Sequence, residues 1–377
     1  MLQYTGEYKK HITSSITKMD FYTFTPSPLC GGLPLSIDDE LFAYLTMAHK
    51  LLGVLEGMIL SVSDIDIIKE LFFLKESCCS LLVDRDDGIG FYDALKARSS
   101  KCGDLRCINN MIATQKYAYG KRINNSELSK ICALIIHGPE STKKAEFRSK
   151  HLFFRRVLTN LKMYTPTAPE DIISAFQDLS KYISMDDHSD LLIKTALVHY
   201  QFEMIHPFEI CNGVVGRVLI PMMLLNLHYQ AAPYLCISEF LYHNKAKYFD
   251  ILSSTQIGRG YTDWIKFFME AVCFAAECAI AQIKTYTTAI VEDAPQISVL
   301  TKSSKYILPI YSYYKRHLVS EIQPVAEAIG ISYNTAAKVV SLLVDAGILK
   351  QEHEQSRHKV FQYKKIIDAF VRTSEFQ

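Results

Sequence analysis

Hydrophobic positions along this chain fall mostly into long runs with helical rather than alternating spacing. Residues 191–205 are too long and too apolar a run for one strand and predict a buried helix. His206-Pro207 ends that helix, because the residue before a proline is pushed out of the helical region. Asn212-Gly213 is a turn signal, and a second apolar run over residues 214–227 follows it. The expected unit is helix, tight loop, helix. Free backbone N–H groups and the positive dipole end at the start of the second helix form a ready anion site. Arg217, one turn further on, is placed to reach a phosphate as a bidentate donor.

The same pattern organises the rest of the chain. Residues 1 to about 36 hold most of the early prolines and glycines and read as an extended arm. Ser36 is placed to cap a helix that starts in Asp38-Asp39-Glu40 and continues over residues 41–60. Residues 64–98 are helical with a break at Asp86-Asp87-Gly88, and residues 106–285 are mostly helical. Residues 285–304, polar and β-branched around Pro295, read as a linker. Beyond it, a short helix over 321–329, a turn at Gly330 and a second helix capped by Ser332 are followed by Gly347 as a stop. Residues 348–350 and 359–363 then read as two strands around a polar tip, a helix-turn-helix with a wing. Tyr333, Asn334 and Lys338 fall on the outer face of its second helix, and the apolar set of 301–377 predicts that this tail folds alone.

Composition narrows the function classes. At 377 residues the chain is long enough for two or three domains. A net charge of +1 supplies no general attraction to nucleic acid or membrane. Residues 301–377 carry eleven Lys and Arg against seven Asp and Glu, a surplus of four that is modest for a DNA binder. The N-terminal dozen residues include Glu7, Lys9, Lys10 and His11 and do not read as a signal peptide. Apolar stretches such as 218–227 are too short to span a bilayer, so no membrane partner is expected. Ten cysteines without C-x-x-C spacing read as reduced thiols of a cytoplasmic protein, and no zinc-type constellation stands out.

The stretch from His206 to Arg217 resembles the Fic family signature H-P-F-x-[DE]-G-N-G-R-x-x-R, found in enzymes that move the AMP of a nucleotide onto a protein hydroxyl. His206, Pro207, Phe208, Asn212, Gly213 and Arg217 match it, while Ile210, Cys211 and Val214 depart from it. The resemblance implies that His206 is the general base, that Asn212 and Gly213 hold the α-phosphate, and that Arg217 pairs with the outer phosphates. It implies ATP as donor. Ile210 stands where the family has the acid that holds Mg²⁺, and an aliphatic side chain cannot ligate a hard cation, so a role for Mg²⁺ stays open. Val214 replaces the first arginine and Cys211 a glycine; Glu209 is an acid one position early.

Further segments extend the resemblance. Residues 146–153, with Phe147 and Arg148, lie where the family has a flap that docks a target protein as an added strand. Residues 164–169 resemble the proline-containing turn after it. Ser80 and Asp84 fall where such proteins carry an autoinhibitory helix ending S-S-x-I-E-G, with aspartate in place of glutamate.

The expected fold is mainly α: an N-terminal arm and helical region over 1–100, a Fic-type helical core with a small β flap over 101–290, and a winged helix-turn-helix over 301–377. Three functions stay open. One is a protein adenylyltransferase with weakened activity. Another is a catalytically inactive regulator that binds a nucleotide or a partner. The third is a transcription regulator whose tail contacts DNA. A homodimer is compatible with all three.

Overall fold

A computed structural model describes residues 5–12, 20–31, 35–85, 87–100, 105–152, 164–186, 189–352 and 359–371. It is mainly helical, as the spacing predicts. The helices are α1 (Asp39–Ser61), α2 (Ile65–Asp84), α3 (Phe91–Ser100), α4 (Arg106–Ala118), α5 (Asn125–His137), α6 (Ile172–Ser184), α7 (Leu191–Ile205), α8 (Asn212–Asn226), α9 (Ile237–His243), α10 (Lys245–Ser254), α11 (Thr262–Leu300), α12 (Ile307–His317), α13 (Ile322–Ile329), α14 (Tyr333–Asp345) and α15 (Lys364–Val371). Strands β1 (Gly6–Ile12) and β2 (Asp20–Pro26) form one antiparallel pair, and β3 (Val319–Glu321), β4 (Lys350–Gln351) and β5 (Val360–Gln362) form a second sheet in the order β3-β5-β4.

The chain divides into two compact units that are not consecutive segments. Residues 1–56 join 109–276 in the first, and residues 57–108 join 277–377 in the second.

In the first unit α7 is buried on every side, which is why its sequence lacks an amphipathic stripe. Its N-terminus is capped by Asp190, whose Oδ1 accepts from the amides of Leu192 and Ile193 at 2.9 and 3.2 Å. Helix α8 folds back along it. The glycine at 216 permits the approach, since a Cβ there would lie 2.3 Å from Glu203 Oε1. Trp264 on α11 is fully buried and donates from Nε1 to the Ala196 carbonyl at 2.8 Å, joining α11 to α7. The arm expected over the first residues is instead the β1–β2 hairpin, in register Gly6 opposite Pro26. Backbone pairing of Phe24 N with the Pro166 carbonyl ties it to the 164–168 turn. Helix α1 is capped by Asp38, whose Oδ1 accepts from Leu41 N at 2.8 Å, rather than by Ser36. By length and composition α1 could cross a membrane, which the sequence reading did not anticipate.

In the second unit the expected linker is helix. Residues 285–300 continue α11, with Tyr286, Ala289, Asp293 and Ile297 buried at helical spacing. Pro295 lies on the exposed side, where water can take the carbonyl that its missing N–H leaves free. The buried Asp293 carboxylate accepts from the hydroxyls of Tyr363 and Tyr311, the latter at 3.2 Å. The tail does not pack only on itself. Phe370 of α15 meets Phe72 of α2 and stacks on Phe91 of α3, and Lys96 pairs with Glu352 at 2.8 Å. Ser332 caps α14 as the sequence predicts, accepting from Thr335 N at 3.2 Å. The expected wing tip, residues 353–358, lies outside the described residues.

Candidate functional site

The C-terminal end of α7, the loop after it and the first turns of α8 bring His206, Asn212, Gly213 and Arg217 onto one helix–loop–helix. His206 is the C-cap of α7 and adopts left-handed backbone angles, φ 48° and ψ 62°. Such a conformation costs an L-residue roughly 1–2 kcal/mol and persists only when its surroundings enforce it. Arg148 is the enforcing group. Its buried guanidinium donates to the carbonyls of His206 and Lys150 at 2.8 Å each, to Ile205 at 3.3 Å, and to Thr167. Its own amide donates to the Pro207 carbonyl at 2.8 Å. Orphan carbonyls at the end of α7 are thereby satisfied by a fixed positive charge. Burial lowers the Arg148 pKa to about 10, which leaves it charged at neutral pH.

Sequence resemblance places Arg148 on a target-docking flap, whereas its side chain is turned inward. No strand is formed over the described part of that segment, residues 146–152, and 153–163 lie outside the described residues. Phe147 packs on Phe176 and Phe208 with ring centroids 5.4 and 5.7 Å apart. The two residues together fasten the segment to the helix–loop–helix.

The loop is closed by Asn212. Its Oδ1 accepts from the Phe208 amide at 2.8 Å, and its Nδ2 donates to the Phe208 carbonyl at 2.7 Å. Phe208 is buried beneath, so the loop is held through both backbone and core. Cys211 is the second left-handed residue, with φ 65°. It occupies the position where the signature has glycine, the residue that adopts such angles freely. Its neighbour Cys132 on α5 is buried, and its thiol is pushed up to about 12, first by burial and then by Cys211. Helix α8 begins at Asn212 with no side-chain cap from Cys211, so the N–H groups of its first turn retain their donor capacity. Arg217, in the second turn, is buried.

Imidazole chemistry at the site is set by burial. The pKa of His206 is lowered to about 3, first by desolvation and then by the Arg148 guanidinium, while a hydrogen bond to the Glu203 carbonyl works the other way. His206 is therefore neutral at pH 7. Its Nδ1 lies 3.3 Å from the Glu203 carbonyl oxygen and 3.8 Å from Glu203 Oε2. Two helical turns earlier, His199 donates from Nδ1 to the Gly216 carbonyl at 2.9 Å and accepts at Nε2 from Tyr248 Oη at 3.1 Å. It stacks on Trp264 and is lowered to about 4, chiefly by desolvation. His199 thus staples α7, α8 and α10 together and has both ring nitrogens committed. Sequence reasoning singled out neither His199 nor Glu203. The signal available was a polar residue at 199 and an acid at 203 inside a mostly apolar run.

The departures from the signature have distinct placements. Ile210 is 56% exposed, whereas Val214 is 3% exposed. Glu209 is exposed. Among the described residues no three His, Cys, Asp or Glu side chains are grouped to hold a metal ion. The donor set at the loop does not fit a Mg²⁺ ion, because the side chain at the ligand position carries no oxygen. Ser80 and Asp84 lie on α2, in the second unit; Ser80 is buried and Asp84 exposed.

Residues 122–224, which include this helix–loop–helix, match the Fic/DOC family. A solved Fic family protein from Desulfovibrio desulfuricans G20 shares the fold with a TM-score of 0.57 at 16% identity, over 88% of this chain and 97% of that one. A Fic domain containing signaling protein from Bacteroides thetaiotaomicron VPI-5482 matches with a TM-score of 0.48 at 18% identity, over 62% of this chain and 97% of that one. The first likeness bears on fold alone.

Proposed function

We propose that this helix–loop–helix transfers AMP from ATP to a Ser, Thr or Tyr hydroxyl of a target protein, at a rate much reduced by the residues at 210 and 214. The observation that supports the reading is the pair of left-handed residues, His206 and Cys211, which turn the chain tightly into the N-terminus of α8 although the residue at 211 does not favour such angles. In the reaction the target oxygen bonds to the α-phosphorus, its proton passes to His206, and the bond from that phosphorus to the bridging oxygen breaks to release pyrophosphate. His206 is neutral at pH 7 and can accept the proton; an anionic nucleotide nearby favours the imidazolium that results. Asn212 keeps the loop closed, the α8 N-terminus faces the α-phosphate, and Arg217 supplies charge to the outer phosphates.

Phosphoryl chemistry depends mainly on positioning and charge stabilisation, so the absent acid and first arginine matter more than the retained base. A metal supplies several kcal/mol at such a transition state, which is about two to three orders of magnitude in rate. With ATP labelled in the α-phosphate, the chain as it stands should give barely detectable incorporation. Ile210→Asp in Mg²⁺ should raise it about a hundredfold, and His206→Ala should abolish it. Position 210 is the one to restore, because an arginine at buried Val214 would have to be desolvated. If the unaltered chain equals Ile210→Asp, the attenuated-site reading fails. If both bind ATP and neither transfers AMP, the regulator reading replaces it.

A second reading concerns residues 301–377. The order α12, β3, α13, α14, β4, β5 supports the winged-helix reading, and Tyr333, Asn334 and Lys338 are exposed on one side of α14. We propose that this side contacts DNA. Affinity of the full chain for mixed-sequence duplex should fall by close to one log unit per log unit of salt for each phosphate contact. Binding that salt does not change would transfer this surface to a protein partner.

A further inference from the structure

The face of the β1–β2 hairpin that meets the 146–152 segment carries a ring cluster with no part in the proposed reaction. His11 lies opposite Phe21 and Lys9 opposite Thr23, so alternation puts all four on one face. His151 completes a group of three rings there. His11 stacks on Phe21 with centroids 4.9 Å apart, and His151 meets each of them edge-on at 5.0 Å. His11 Nε2 lies 2.8 Å from Thr23 Oγ1. The buried Nδ1 of His151, by contrast, has no hydrogen-bond partner among the described residues. A proton placed on it inside the cluster has no acceptor.

We propose that His11, Phe21 and His151 form an acid-sensitive latch, which holds the His11–Phe21 end of the hairpin on the segment that carries Arg148 and releases it when both imidazoles are protonated. One imidazolium is compatible with the face of Phe21. Two at 5.0 Å repel each other, and the surrounding charges do not answer both. Arg148 on the segment and Lys9 on β1 add positive charge, whereas Glu170 is the acid that favours a charged His151. Lys9 in turn binds Glu170 and Asp171 at 3.1 Å each, which spends both carboxylates. Burial first, and then His11, lower the His151 pKa below its ordinary 6.5. The docked rings therefore hold fewer protons than the released ones. Their contribution to docking is complete above pH 6.5 and is lost as pH falls below it. The opposite end of the hairpin has no such titration: Thr5 Oγ1 donates to the Thr255 carbonyl at 2.8 Å, and Phe24 N to the Pro166 carbonyl. Arg148 keeps the segment on the end of α7, so the part that moves is the hairpin end at residues 10–12 and 20–22. The latch stands whether or not the site transfers AMP.

The test reads the rings directly in full-length protein with ¹³C-labelled histidine, phenylalanine and tyrosine, assigned through His11→Phe and His151→Phe. At pH 7 nuclear Overhauser contacts should join the Phe21 and His151 rings. Between pH 6.5 and 5.5 the ratio of released to docked rings should rise about tenfold, the response to one extra proton in the released form. Tyr8 and Phe24, with centroids 5.2 Å apart, report the rest of the hairpin and should keep their contact throughout. In His151→Phe, which keeps an edge-on ring and takes no proton, the contact of position 151 with His11 should persist at pH 5.5. In His11→Phe the Phe21–His151 contact should survive to lower pH, because one titrating ring remains. A Phe21–His151 contact that survives with both imidazoles charged overturns the latch, as does one lost equally in folded His151→Phe. Loss of the Tyr8–Phe24 contact in step with it overturns the latch as well, since the event is then unfolding of the hairpin rather than release of one end.

Discussion

The α7–α8 connection and the 301–377 region are both helix–turn–helix arrangements, and they are held together by opposite means. In the connection, polar side chains are buried and spent on backbone: Arg148 on carbonyls, Asn212 on both groups of Phe208. Two non-glycine residues are left-handed there. In the tail, the turn between α13 and α14 uses Gly330 at φ 71° and an exposed serine cap, which are the unstrained choices. A buried polar cluster, Asp293 with Tyr311 and Tyr363, anchors the tail to α11 within the second unit. Backbone strain at the connection thus sits beside buried charge, whereas the left-handed non-glycine residue of the tail, Leu318 at φ 60°, ends α12 away from any such cluster of backbone-binding side chains.

The largest effect that would break this contrast is at Arg148. Arg148→Met removes the donor to several buried carbonyls and should destabilise the first unit by more than about 3 kcal/mol, measured by urea unfolding. A loss below about 1 kcal/mol would mean that water replaces the guanidinium and that the clamp is dispensable.

Acidification probes the same region next. The folded-state pKa values of His199 and His206 lie below the unfolded value of 6.5, so below pH 6.5 the unfolded chain binds more protons. Their stabilising contribution is present above pH 6.5 and is lost as pH falls toward about 4 and about 3. Between pH 6.5 and 5 each should cost about 2 kcal/mol. His199→Gln should flatten the dependence by about half. A thermal midpoint that does not fall between pH 7 and 5 would contradict the burial of both rings.

In the second unit, Tyr363→Phe removes a hydroxyl from Asp293 and should cost about 1–3 kcal/mol. Its signature should be hydrogen exchange that rises in 301–371 and leaves α7 and α8 unchanged. The smallest effect is expected at Cys211→Gly, which relieves the positive φ but loosens the unfolded chain. The net should be about 0.5–1 kcal/mol of added stability. A destabilised glycine variant would show that the Cys211 side chain contributes packing that outweighs the strain.

How far the sequence carried depends on the kind of interaction. Residues 191–205 declare a buried helix because a continuous apolar run of that length has no other stable place, and His206-Pro207 and Asn212-Gly213 mark its end and the next turn through local sterics. Ser332 announces its cap within three residues. Residues 285–300 misled, since a stripe at 286, 289, 293 and 297 is thin and a proline interrupts it. The first residues misled too, because a hairpin with few apolar positions looks like an arm until Phe24 and Thr5 find partners in the rest of the first unit.

What the sequence by itself determined is therefore the helix–loop–helix, its imidazole and amide, and the missing oxygen at position 210. What only the tertiary structure decided is the use of each polar group. Arg148 points inward at carbonyls that end a helix more than fifty residues later in the chain. Glu203 meets His206 on one side and the space above Gly216 on the other. Hydrogen bonds and desolvation depend on distances of a few ångströms between groups that the chain separates widely, and no local pattern of residues records them.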